Sequence, residues 1–190
     1  MPIGDSLRAD LFEELKGALL AGFVAGAAGV AGTGPREVDE GLFGNFAASW
    51  AARRAGDLIT RVDRTSRLAA RASIAAGLEA GLTPREMSDS LDAAIFGDER
   101  RLMIARTEAA IAYNQGEAER WFAEGIRFVR IVDGVGDAKC KRANGQVWSI
   151  ERYMRNPTAH PNCERSAIAL VDYVPRGTEI TDVEELDLAA

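Results

Sequence analysis

The sequence predicts an α+β protein, with a predominantly helical N-terminal region followed by a small α/β domain that carries a short antiparallel sheet. Two observations lead there. Up to about Gly125 apolar residues recur at helical spacing between capping signals, and from Ile126 the pattern changes to short β-rich runs broken by turn residues. A third sets the scale: 190 residues, 47% of them apolar, can bury a core, so the chain is neither a disordered tail nor a string of domains. Aromatic residues are only 7% while Ala and Gly are plentiful, which favours close helix–helix contacts over a bulky interior.

The first helix is capped by Asp5 or Ser6 and runs through Leu7, Leu11, Leu15 and Leu19 until the glycines Gly29, Gly32 and Gly34 end it. Gly34-Pro35-Arg36-Glu37 predicts a restart, with Pro in the first turn, and a long helix from about Arg36 to Glu79, interrupted near Gly41 and Gly44 and stopped by Gly81. Thr83-Pro84-Arg85-Glu86 is a capping box that opens a short helix ending by Gly97. Asp98 caps the next, from Glu99 to about Glu124, where Ala105, Ala109, Ala112 and Gly116 share a face that lets another backbone approach.

Beyond it, Phe128–Val132 reads as a strand, Asn144-Gly145 as a tight turn, and Gln146-Val147-Trp148 as a second strand. Ser149 caps one or two helical turns through Met154, Asn156-Pro157 ends them, and Ala167–Val171 is a last strand. The boundaries that follow are a helical region 1–81, a compact domain 82–175 and an acidic tail 176–190, expected to be loose.

A net charge of -6 excludes a general nucleic-acid coat, because phosphate binding rests on clustered cations. A local cationic patch is compatible with that sum. Arg53, Arg54, Arg61, Arg64, Arg67 and Arg71 fall within one arc of the long helix, diluted there by Asp57, opposite an apolar arc of Ala55, Leu58, Val62 and Ala69. The row is either a solvated face or a contact surface for DNA or an acidic protein.

Two cysteines are too few for a secreted disulfide scaffold, and the opening residues lack the pattern of a signal peptide, so a reducing cytoplasm is expected during synthesis. The uncharged run Gly17–Pro35, with Gly22 and Gly26 at membrane-pair spacing, approaches bilayer length. Half of it is Gly and Ala, however, which favours a helix packed on protein.

Cys140, His160 and Cys163 carry the side chains zinc prefers, and Asp137, three residues before Cys140, offers a fourth donor. The competing reading is two small buried thiols beside a hydrogen-bonded histidine. A Cys–His nucleophile lacks an orienting partner, and no spacing of carboxylates or glycines marks a nuclease or phosphate site. Ala105-Arg106-Thr107-Glu108, inside a helix, points to a salt link or a tie to the strand zone.

Taken in order, Ala105-Arg106-Thr107-Glu108, Tyr113-Asn114-Gln115-Gly116, Asp137 with Cys140, Ala143-Asn144-Gly145, and Asn156–Cys163 resemble the phage Mu F-type minor head proteins, or head morphogenesis domain. The resemblance spans about Leu82 to Val171. It departs from the common pattern at Ala143, where many relatives carry a second Cys of a Cys-x-x-Cys pair, and at Cys163-Glu164-Arg165, where many have C-R-C. What it implies is a structural protein of the virion head, not an enzyme, present in few copies at the portal vertex and acting in head assembly and genome packaging or delivery. Implied partners are the portal protein and packaged DNA, with major capsid protein and scaffold as others, and an oligomeric arrangement around the portal. Arg106, Glu108, Asn114, Asn144, Gly145 and Pro161, together with the Cys/His/Asp group, become fold-defining residues. No cofactor is required on this reading. The alternatives are a protein ejected with the DNA that meets the host membrane, and a small zinc module.

Overall fold

The computed structural model describes residues 5–80, 98–134 and 137–181, without the side chains of 5–8, 63, 67, 69–71, 74, 77–79, 98, 100 and 101. The capping box at 83–86, Gly81, Gly97 and the end of the acidic tail lie outside these residues, as do the side chains of Arg67, Ala69 and Arg71.

Three long helices form the first layer: α1 (Asp5–Val30), α2 (Glu40–Glu79) and α3 (Asp98–Ala123). On α1 the buried positions are Leu19, Phe23, Gly26, Ala27 and Val30, one face of a helix, and they lie against α3. The crossing is close because it is glycine against backbone. A Cβ at Gly26 would collide with the carbonyl of Tyr113, and one at Gly116 with the carbonyl of Phe23. One face of the uncharged run 17–30 is therefore packed on the chain's own α3, and no helix among the described residues is long and apolar enough to cross a membrane.

The long helix begins later than Pro35 predicts. Residues 31–39 form a loop, and the Asp39 carboxylate accepts from the N–H groups of Gly41 (2.9 Å) and Leu42 (3.0 Å), a cap that supersedes the proline signal. Neither Gly41 nor Gly44 interrupts it. Ala47, Ala51, Ala55 and Leu58 turn inward, and Phe43, Phe46 and Trp50 gather round the Phe23 ring at 5.2–6.1 Å.

After α3, Gly125 at φ 95° reverses the chain into β1 (Phe128–Val132). The order is then α4 (Ala138–Ala143), β2 (Val147–Ser149), α5 (Ile150–Arg155) and β3 (Ser166–Ala169). The sheet is antiparallel in the order β2-β1-β3, with Val129 opposite both Trp148 and Ala169. Val129 and Ile131 face inward to meet Trp121, Trp148, Ile150 and Tyr153 in the main core. Burying side chains as large as Trp148 and Tyr153 contributes roughly 2–3 kcal/mol each.

Asn144-Gly145 is a turn, as expected, although it joins α4 to β2 and does not close a hairpin. Asn144 at φ -58°, ψ 127° and Gly145 at φ 80° form a type II turn, closed by Gln146 N–H to the Ala143 carbonyl at 3.0 Å. The tail differs from expectation at its start. Ile180 pairs in parallel with Trp148 and bonds both Ser149 and Val147 at 2.9 Å, so this segment covers the free edge of β2.

Candidate metal centre

The site is assembled where α4 meets the segment between α5 and β3. Asp137 caps α4, one carboxylate oxygen accepting from the N–H groups of Lys139 (2.6 Å) and Cys140 (3.0 Å). Those bonds, first among them the one from Cys140, hold its carboxyl below the usual range. The second oxygen faces the Cys140 sulfur at 3.3 Å and makes an ion-pair contact with His160 Nε2.

The other side is a tight turn. Cys163 N–H donates to the His160 carbonyl at 3.1 Å, closing a turn in which Asn162 takes a left-handed φ of 58°. His160 Nδ1 lies 2.8 Å from the Pro161 carbonyl, so Nε2 is the ring nitrogen turned toward Asp137 and the Cys140 sulfur. Nε2 is 3.2 Å from the Cys140 sulfur, and the two sulfurs are 3.9 Å apart. The ligand atoms of Cys140, His160 and Cys163 all lie within 4.8 Å of one another, so this group could hold a metal ion.

Asp133, buried at the end of β1, is the residue that spacing did not reveal. Its Oδ1 is 3.6 Å from the Cys163 sulfur, and its Oδ2 accepts from Arg165 Nε at 2.7 Å. Its only sequence signal is the Asp-Gly pair that ends a β-rich run. Each thiol thus has a carboxylate beside it, Asp137 at Cys140 and Asp133 at Cys163, with Arg165 paired to Asp133. Burial first, then hydrogen bonds to Asp133 and Asp137 and the nearby Cys163, push the Cys140 thiol far up. A cation among these groups would reverse that, since coordination favours the thiolate. The same surroundings oppose the thiolate that a cysteine nucleophile needs.

The other motif residues converge on this domain as ties between segments. Thr107 Oγ1 accepts from Asn162 N–H at 3.0 Å, which ties α3 to the His–Cys turn. Asn114 Nδ2 donates to the carbonyls of Pro157 (2.8 Å) and Arg165 (2.7 Å). Asn144 Oδ1 accepts from Asp133 N–H, and Gly145 N–H donates to the Ile131 carbonyl. Glu108 holds Arg54 through two bonds of 2.8 Å, so Arg54 stands apart from the rest of the arginine row. Arg53, Arg61, Arg64 and Arg106 are exposed.

No family model, curated protein or solved structure matches the chain.

Proposed function

We propose that the chain is a structural protein of the head of a tailed bacteriophage, of the head-morphogenesis class. On this reading it sits at the portal vertex, is expressed with the portal, and acts in head assembly and in packaging or delivery of the genome. The observation that supports it is the mutual contact of the resembling segments. The Thr107–Asn162, Asn114–Pro157 and Cys140–His160 contacts join stretches 20 to 55 residues apart, all within the segments that carry the resemblance. Such residues hold a framework together, as expected of an assembly protein.

The finer reading of the metal group is zinc. Two thiolates and one imidazole are the donors, and the Asp137 carboxylate, beside Cys140 and His160, would be the fourth that a structural site needs. Asp137 takes the place that a second Cys of a Cys-x-x-Cys hook would fill at Ala143.

Quantitative peptide mass spectrometry of purified particles tests the head assignment. A copy number at or below that of the portal supports it, while abundance near that of the major capsid protein, or absence from particles, rejects it.

A further inference from the structure

Along one side of α2 several large side chains stay exposed among the described residues, although Phe46 also reaches the Phe23 ring. Leu42 (69% exposed), Phe46 (38%) and Leu68 (57%) lie on the same side as the exposed Arg53, Arg61 and Arg64, within an arc of about 100°. Ser49, Gly56 and Thr60 border it, so a second helix could approach closely. The stripe is about 39 Å long, with apolar residues toward both ends and the cations between them.

From this pattern we infer that the face docks a helix of another protein, one with carboxylates at its middle and apolar side chains toward its ends. The inference rests on the reading of the chain as an assembly protein and supplies the chemistry of its partner. Charge decides against a second copy of the chain, since an antiparallel two-fold would set arginine row against arginine row. The apolar ends decide against DNA, since Leu42 and Leu68 gain nothing from phosphates.

The test uses the full chain and three probes. These are a synthetic helix of about 28 residues with leucines near both ends and a central row of glutamates, the same helix with lysines for glutamates, and a short DNA duplex. The glutamate helix is expected to bind about tenfold or more tightly than the lysine helix, and more weakly as salt rises. The triple variant Arg53→Glu, Arg61→Glu, Arg64→Glu should lose that preference. Leu42→Ser with Leu68→Ser should weaken binding while leaving its salt dependence unchanged, and circular dichroism melts check that both variants fold. Equal binding of the two helices, or variants that bind like the parent, overturns the inference. So does DNA binding tighter than either helix and lost in the arginine variant. None of these outcomes alters the copy number in particles, so the head assignment stands or falls separately.

Discussion

The sulfurs of Cys140 and Cys163 lie 3.9 Å apart across 23 positions of sequence, one at the start of α4 and the other in the turn before β3. Zinc–sulfur bonds of about 2.3 Å in a tetrahedron separate two sulfurs by about 3.8 Å. The observed spacing is compatible with two ligands of one metal ion. The separation between Cys140 Sγ and His160 Nε2, 3.2 Å, needs a few tenths of an ångström of expansion to reach the corresponding value.

Zinc is therefore expected to bind at one equivalent and to stabilise the fold. At a thousandfold excess over its dissociation constant the gain is about 4 kcal/mol, or roughly 10 °C in melting temperature for a chain of this size. Cys163→Ser should abolish binding, and Asp137→Asn should weaken it. Purified protein without metal, melting identically with and without chelator, would remove zinc from the account.

The Asn114 side chain bridges two carbonyls from different loops while itself buried. Asn114→Ala leaves those carbonyls unpaired inside the protein, at a cost of about 2–4 kcal/mol. Urea unfolding measures this directly. A loss under about 0.5 kcal/mol, the level of an ordinary surface substitution, would mean that the bridge contributes nothing.

Glycine substitutions should separate into two groups. Gly116→Ala and Gly26→Ala drive a methyl into the facing backbone and should cost more than about 3 kcal/mol, or prevent folding. Gly44→Ala and Gly56→Ala meet nothing within 4 Å on an exposed helix and should stabilise it by up to about 1 kcal/mol. Melting temperatures of the four variants decide; if all four behave alike, the crossing is looser than described.

Burial pushes the Glu117 carboxyl up to about 7, against the hydrogen bond from Tyr153, its neighbour on α5 at 3.4 Å. The folded value lies above the unfolded one, near 4.5, so the folded chain keeps a proton that the unfolded chain releases. Stability therefore falls as pH rises through that window, and the loss is complete above pH about 7. Allowing about 1.4 kcal/mol per unit, and a reduction for the solvent that still reaches the group, the loss is about 2 kcal/mol. Glu117→Gln should match the parent near pH 5 and exceed it by about that amount near pH 8. Parallel curves for the two proteins at constant zinc would show that Glu117 does not titrate in this range.

The division into helices and a small sheet was legible because two periodicities change over near Ile126. The ligand group was legible from residue chemistry alone, since Cys140, His160 and Cys163 are the only residues of their kinds. The start of α2 was not, because Pro35 gives a local preference whereas the loop's bonds to Glu124 are tertiary. Asp133 escaped for a similar reason: one acidic residue after a strand looks like any turn until Arg165 and Cys163 are brought beside it. Arg54 was indistinguishable from its neighbours in the row because only the packing of α3 sets Glu108 opposite it.

Glu124, at the end of α3, accepts bonds from Gly32 N–H, Gly34 N–H, the Thr33 hydroxyl and Arg120, while its carbonyl accepts from Arg36 N–H. Burial opposes its ionisation, but the Arg120, Gly32 and Gly34 bonds outweigh that and hold the carboxyl below its usual range. The loop between α1 and α2 is thereby riveted to the point where α3 gives way to β1. One carboxylate thus fastens three consecutive residues of that loop, so that a single substitution, Glu124→Ala, removes every side-chain tie between them and α3.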